Sequence, residues 1–136
     1  MNPNSYIASE ENVEKFLIDL KIMLLTKDCR FEIKGIRRGQ DPTSIYTTPN
    51  TMLDLDYDTE DVKNELISLT SNEYIETIID DADSNRPPFW VFGKEIKRKD
   101  IYIKVKIKTA SSVFCVSFHY PEYPLKKGPF SRIEKC

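Results

Sequence analysis

The sequence predicts an α+β fold, with an antiparallel β-sheet of about three to four strands packed against an N-terminal helix and two short helices. Two observations lead to this prediction. Apolar residues recur at helical spacing near the N-terminus, and residues 89–119 contain three consecutive segments with strand character. A helix, a strand, further helices and then adjacent strands are typical of α+β proteins with antiparallel pairing. The length of 136 residues suits a single domain, 1–136.

The N-terminal helix is predicted over residues 10–26. Ser9 can cap the free N–H groups of its first turn, and the two glutamates that follow suit the helix dipole. Its apolar positions are Val13, Phe16, Leu17, Leu20, Met23 and Leu24. Residues 29–37 then alternate like a strand, and residues 38–52 read as a loop that is long for a compact domain. Such a loop is often functional.

Two short helices are predicted next, one at about 59–69 after a cap at Asp58 or Thr59, and one that begins at Ser71. The second would place four apolar residues at helical spacing: Tyr74, Ile75, Ile78 and Ile79. Strands follow at about 89–96, 101–108 and 113–119.

The last two strands form a predicted hairpin with a tight turn at Ala110-Ser111. This register places Tyr102 directly across from His119, and Lys104 across from Ser117. Because side chains alternate along a strand, residues 101–108 divide between two faces. One face carries Ile101, Ile103, Val105 and Ile107, and the other carries Tyr102, Lys104, Lys106 and Lys108. In the partner strand, Phe114, Val116 and Phe118 would share one face, and Val113, Cys115, Ser117 and His119 the opposite one. The hairpin therefore brings an imidazole, a phenol and an ammonium group to the face away from the core.

Charge is distributed unevenly along the chain. Residues 1–93 contain 9 Lys/Arg and 18 Asp/Glu, whereas residues 94–136 contain 11 and 4. A basic C-terminal third favours a polyanionic partner locally, although charged runs are more often solvated faces. Three widely spaced cysteines without a CxxC pair suit a reducing compartment. Without a secretory leader or a spanning apolar segment, we expect a cytoplasmic protein that does not contact a membrane.

The single histidine suggests a chemistry. An imidazole can act as general acid or base near neutral pH, and neighbouring lysines can stabilise the extra charge when a ribose 2′-OH attacks its own phosphodiester. This reaction needs no metal, and the sequence shows neither a convincing metal-ligand cluster nor a cofactor motif. The structural alternative is that His119 is an incidental surface residue, that Tyr102 covers the sheet, and that the lysines protect an edge from aggregation.

Residues Leu53 to Leu125 resemble the MqsR-like toxins of bacterial type II toxin–antitoxin systems, which belong to the RelE-like ribonuclease group. The segments that carry the resemblance are DVKNELISLTSNEYIE, FWVFGKEI, IYIKVKI and VFCVSFH, followed by YPEYPLK. The resemblance implies a RelE-like fold, cleavage of mRNA on a concave sheet face, and a cognate antitoxin protein as partner. It matches the family's tyrosine to Tyr102 and a basic strand-end residue to His119. It departs from the family at Ile75 and Val91, where a lysine and a glutamine are expected.

We therefore expect a metal-independent endoribonuclease with no cofactor, which cuts mRNA either free or on the ribosome. Its predicted catalytic residues are His119, Tyr102 and Lys104. Its predicted RNA-binding residues are Lys94, Lys106, Lys126, Lys127 and Tyr123. One alternative is a non-catalytic module of the same fold that binds RNA or protein through this face. Another is that the acidic segment 51–83, including Asp54, Asp56, Asp58 and Glu60, docks a basic protein.

Overall fold

The computed structural model describes residues 4–80 and 85–132 and confirms the predicted α+β class. In chain order the elements are β1 (Ser5–Tyr6), α1 (Glu10–Leu25), β2 (Arg30–Ile33), α2 (Thr48–Leu55), α3 (Thr59–Ile67), β3 (Tyr74–Ile78), β4 (Phe89–Ile96), β5 (Lys99–Thr109) and β6 (Ser112–His119). The strands form one sheet in the order β1-β3-β4-β5-β6-β2.

The sheet is larger than predicted and is not purely antiparallel. Within the described residues it has six strands rather than three or four, and β2 runs parallel to β6. The long connection between β2 and β6 allows this parallel pairing, which a short hairpin turn could not provide. β1 is only two residues long, too short for alternation to reveal it.

The helix predicted from Ser71 is wrong. One 3₁₀ turn at Ser71–Glu73 leads directly into strand β3, which pairs with β1 and β4. The buried hydroxyl of Tyr74 accepts a hydrogen bond from the Ala8 N–H (3.0 Å) and shares another with Thr77 (2.7 Å). The neighbouring strands β1 and β4 provide hydrogen-bond partners for the backbone of β3 on both sides. This pairing outweighs the helical spacing of its apolar residues.

The loop predicted for residues 38–52 is shorter than expected, because α2 begins at Thr48. The Thr47 hydroxyl caps this helix. Thr48 and Thr51 accept hydrogen bonds from the backbone N–H groups of Phe118 and Tyr120, both at 3.1 Å. Because β2 has already ended at this point, the two threonines accept hydrogen bonds that a neighbouring strand would otherwise accept. Helix α2 therefore supports the end of β6, where His119 lies.

The core lies between the helices and one face of the sheet. Ser9 caps α1, as predicted, and Phe16 of α1 stacks on Trp90 with ring centroids 4.4 Å apart. Asp58 and Asp61 form a capping box at the start of α3. The largest fully buried core side chains include Leu20, Leu24, Leu66, Tyr74, Phe92, Ile101, Ile103 and Phe118. The predicted helices at residues 10–26 and 59–69 are thus confirmed within two residues at each end.

The hairpin register is confirmed at its open end and changes along its length. Tyr102 pairs with His119 and Lys104 with Ser117, as predicted. A β-bulge then makes Val105 pair with Cys115, which leaves Val116 as the extra residue. Beyond the bulge the predicted faces are reversed: Val113 and Cys115 join the core, and Phe114 pairs with Lys106 on the other face.

After β6 the chain continues as an irregular C-terminal segment, residues 120–132, that crosses the sheet face opposite the helices. Leu125 covers Gly93 of β4 so closely that a methyl group on that glycine would lie 2.8 Å from its Cδ1 atom. The segment then passes the start of β3, where Phe130 stacks on Tyr74 with centroids 5.9 Å apart. This segment forms one wall of the cleft described next.

Candidate active site

A cleft of about 390 Å³ opens on the sheet face opposite the helices. Its floor includes side chains of β3, β5 and β6. One wall comes from the loop between β2 and α2, and the other from the C-terminal segment. The lining residues are Arg37, Gln40, Tyr46, Ile75, Glu76, Tyr102, His119, Pro121, Glu122, Tyr123, Pro124, Leu125 and Lys126. Four of the eight predicted site residues are therefore in this cleft.

Tyr102 and His119 lie together in the cleft. Because they are directly opposed in the β5–β6 ladder, their side chains leave the sheet on the same face. Their rings stack with centroids 5.4 Å apart and 24° between planes. Both side chains are half-buried in the cleft.

His119 is held with one ring nitrogen available. Its Nδ1 lies 2.9 Å from the carbonyl oxygen of Tyr120, and since a carbonyl can only accept, Nδ1 carries the proton in the neutral ring. Nε2 then has a free lone pair. Burial lowers the pKa of His119, the carbonyl contact opposes this, and the nearby positive charge of Arg37 lowers it further. The imidazole is therefore neutral at pH 7, the form that can accept a proton.

Tyr102 remains a neutral hydrogen-bond donor. Burial raises the pKa of its phenol, and the carboxylate of Glu76 raises it further, while Arg37 acts in the opposite direction. Glu76 of β3 and Arg37 of the loop thus both lie close enough to influence this hydroxyl. A phenol in this setting can donate to an anionic oxygen but does not supply an anion of its own.

The predicted lysines of the strands are engaged in contacts within the protein. Lys106 is buried and binds Asp80 at 3.1 Å. The Lys104 amino group lies over the ring of Phe89, 4.7 Å from its centroid. Lys94 lies away from the cleft lining. It contacts Glu73 (3.6 Å) and Glu65 (3.9 Å) and donates a hydrogen bond to Ser68.

The C-terminal segment places its predicted RNA-binding residues differently. Tyr123 and Lys126 line the cleft, and Tyr123 is 77% exposed at its wall. Lys127 is exposed and lines a neighbouring depression with Lys94 and Gly93. Only Lys126 among the predicted lysines is therefore a lining residue of the cleft that contains His119.

The sequence predictions did not include Arg37, Gln40, Tyr46, Glu76 or Glu122 as site residues, although all five line the cleft. Glu76 was assigned to a helix, and Arg37 ended a predicted strand. The sequence offered one signal for the loop residues of the cleft, namely the unusual length of the polar loop predicted at residues 38–52. That length indicated a functional segment but did not identify individual residues. At the two departures from the family pattern, Ile75 lines the cleft and Val91 is fully buried.

Other features of the described residues bear on site chemistry. Among residues 4–80 and 85–132, no group of three or more His, Cys, Asp or Glu side chains is arranged to hold a metal ion. Cys29 and Cys115 are free thiols, and Cys136 lies outside these ranges. None of the helices in the same ranges has the length and apolar character needed to cross a membrane.

The acidic surface predicted as an alternative docking site is partly used within the protein. Asp54 accepts hydrogen bonds from Tyr120 (2.5 Å) and Lys99 (3.1 Å), which lower the pKa of its carboxyl group. Asp58 caps α3. Two of the four carboxylates named for that surface thus have structural roles.

Comparison with known proteins finds no family model that matches this chain and no matching curated protein. The resemblance to the MqsR-like toxins therefore stays a prediction drawn from the residues quoted above.

Proposed function

We propose that this protein is the toxin of a toxin–antitoxin module, a RelE-like, metal-independent endoribonuclease that cleaves mRNA in the cytoplasm. The observation that supports this proposal best is the Tyr102–His119 pair in a cleft, where Nε2 of the imidazole makes no hydrogen bond to any residue of 4–80 or 85–132. The cognate antitoxin is the partner that restrains the enzyme.

In the proposed reaction, Nε2 of His119 accepts the proton of a ribose 2′-OH. The 2′ oxygen then forms a bond to the adjacent phosphorus, and the bond from phosphorus to the 5′ oxygen breaks. The departing 5′ oxygen takes a proton from water, and the His119 imidazolium returns its proton to the hydroxide that this leaves. The products are a 2′,3′-cyclic phosphate and a 5′-hydroxyl. The Tyr102 hydroxyl donates to a non-bridging phosphate oxygen, where negative charge increases in the transition state.

The RNA strand would lie between the two walls of the cleft. Tyr123, exposed at the C-terminal wall, offers a ring on which a base can stack, and Lys126 beside it can neutralise a phosphate. Lys127 lies outside this cleft, where it can contact the RNA backbone further along.

One observation favours the alternative of a non-catalytic RNA- or protein-binding module. Three strand lysines expected to meet phosphate, Lys94, Lys104 and Lys106, have partners within the protein instead. The cleft lining has two cations, Arg37 and Lys126, and two carboxylates, Glu76 and Glu122. Such a cleft could retain a single-stranded segment or a peptide without chemistry.

The test is incubation of purified protein with a mixed-sequence mRNA in EDTA, with and without ribosomes, followed by mapping of the RNA ends. His119→Gln and Tyr102→Phe should reduce cleavage, with circular dichroism to verify folding. Lys108→Ala serves as the control, since this exposed residue lies at the far end of β5. Ends that carry 2′,3′-cyclic phosphate support the mechanism, whereas 3′-hydroxyl ends or a requirement for Mg²⁺ exclude it. Salt-dependent RNA retention without cleavage selects the binding module.

A further inference from the structure

Arg37 reaches the cleft from a part of the chain outside the resemblance to toxins. It lies in the loop between β2 and α2 and lines the same wall as Gln40 and Tyr46. In the described ranges, 4–80 and 85–132, no carboxylate lies within ion-pair distance of its guanidinium group. The Arg37 side chain is exposed to the cleft and has its donors available for a ligand.

A reciprocal turn fixes the backbone that carries this arginine. The Arg37 N–H donates to the side-chain oxygen of Gln40 at 2.7 Å, and the Gln40 N–H donates to the Arg37 carbonyl at 3.0 Å. Gly39 completes the turn with a φ of 85°, which residues with a Cβ rarely adopt. Gln40 is thus a positioning residue for Arg37.

The same loop is tied to α2. The Asn50 amide group donates to the carbonyl oxygens of Pro42 and Ser44, both at 2.8 Å. Asp41 accepts from the N–H and hydroxyl of Thr43 at 2.9 and 2.8 Å. Since α2 also holds the end of β6, the loop and His119 are supported by one helix. The wall that presents Arg37 is therefore preorganised relative to the imidazole.

The charge of Arg37 acts on both members of the stacked pair. It lowers the pKa of His119 and opposes the rise in the pKa of Tyr102. An anion at this point would be attracted by the guanidinium group, could accept from the Tyr102 hydroxyl, and would contact the His119 ring.

We propose that Arg37, Tyr102 and His119 form a binding site for one nucleotide phosphate, and that Arg37 supplies its positive charge. The phosphate site specifies how the proposed ribonuclease would bind its substrate, and its role in catalysis rests on that proposed function. Arg37 takes the role predicted for Lys104, whose amino group lies over Phe89. The planar guanidinium group can donate two parallel hydrogen bonds to phosphate oxygens, which an ammonium group does not match.

The charges of the cleft lining favour a single phosphate at the stacked pair, beside Arg37. The titratable and charged groups that share the cleft with His119 are Arg37 and Tyr46 on the loop wall, Glu76 on β3, Tyr102 on β5, and Glu122, Tyr123 and Lys126 on the C-terminal wall. Two cations and two carboxylates leave this lining without net charge. One phosphate beside Arg37 and the next one of an RNA strand beside Lys126 fit this pattern.

The test uses the fact that His119 is the only histidine, so that its ring protons give isolated NMR signals. Uridine 3′-monophosphate is titrated into wild type, Arg37→Ala and Arg38→Ala, with uridine as the ligand without phosphate. Arg38 is the matched control, because it is exposed and does not line the cleft. Binding of the nucleotide should raise the pKa of His119 in the wild type and in Arg38→Ala.

Arg37→Ala should weaken nucleotide binding about tenfold or more, because it removes a charge-assisted interaction. It should also raise the pKa of His119 in the free protein, since the positive neighbour is lost. Gln40→Ala should also weaken nucleotide binding. The pKa of His119 should be lower in this variant than in Arg37→Ala, because Gln40→Ala keeps the positive charge of Arg37. Equal effects of Arg37→Ala and Arg38→Ala, or equal shifts by uridine and its phosphate, would overturn the assignment.

The two proposals fail separately. Nucleotide binding does not require turnover, so phosphate-dependent shifts of His119 without RNA cleavage would reject the ribonuclease and retain the phosphate site. Cleavage of RNA with the same kcat/KM in Arg37→Ala and Arg38→Ala would retain the ribonuclease and reject the role of Arg37.

Discussion

Tyr102 and His119 stack with ring centroids 5.4 Å apart, and this contact is a direct consequence of the pairing of β5 with β6. Directly opposed residues in an antiparallel ladder project to the same face. The bulge that reverses the faces of the hairpin lies beyond Ser117, so it leaves this pair in place. The contact between Tyr102 and His119 therefore depends only on the strand pairing at the open end of the hairpin, before the bulge.

The depressed pKa of His119 predicts a pH dependence of stability. The folded state binds the imidazole proton less tightly than the unfolded state, whose pKa is about 6.5. Burial of the neutral His119 ring therefore contributes fully to the free energy of unfolding above the unfolded-state pKa. This contribution is lost as the pH falls through the lower pKa of the folded state. Between pH 7.5 and 5.5, urea unfolding should show a larger loss of free energy of unfolding for wild type than for His119→Gln. Carboxylates titrate in both proteins, so equal losses would contradict the burial of the imidazole.

Lys106 and Asp80 form a buried ion pair, with 7% and 11% of their side chains exposed. Lys106→Ala should lower the free energy of unfolding by about 1–3 kcal/mol, because the buried Asp80 loses a charge-assisted hydrogen bond at 3.1 Å. The exposed Lys108→Ala should change it by about 0.5 kcal/mol or less. Urea denaturation measures both. A stable Lys106→Ala protein with reduced RNA retention would instead make Lys106 an RNA-binding residue.

Three glycines test the attachment of the C-terminal segment. A Cβ atom at Gly128 would lie 2.1 Å from the Tyr74 carbonyl oxygen, whereas one at Gly35 would meet nothing within 4 Å. Gly128→Ala should therefore detach the segment and speed tryptic cleavage after Lys126 and Lys127, while Gly35→Ala should not. Gly93→Ala should have an intermediate effect, since the Leu125 side chain can move. Equal proteolysis of all three variants would show that the segment is not held by these contacts.

Glu76→Gln should lower the pKa of Tyr102, because the carboxylate raises it in the wild type. It should also strengthen binding of uridine 3′-monophosphate, since a negative charge leaves the cleft. The tyrosine ring-carbon NMR signal, assigned with Tyr102→Phe, measures the first effect. Glu95→Gln is the control, because this exposed residue of β4 does not line the cleft. Equal behaviour of the two variants would show that Glu76 does not act on the phenol.

Two errors of prediction have different physical origins. Residues 74–79 have apolar spacing compatible with a helix, but β1 and β4 offer β3 hydrogen-bond partners on both sides. Thr47 and Pro49 did carry the signal of a helix start, although the polar composition of the loop concealed it. Local patterns are informative where an element buries one face, and fail where pairing with distant strands decides the conformation.

Four features were predictable from local sequence patterns: the α+β class, the helices near residues 10–26 and 59–69, the last three strands and the Tyr102–His119 pair. These depend on amphipathic periodicity and on one short hairpin, which are local properties. The contacts of Lys104 and Lys106 within the protein were not predictable in this way, nor was the presence of Arg37 and Glu76 in one cleft. The reason is that residues far apart in sequence are brought together by chain topology and packing, which no local pattern records.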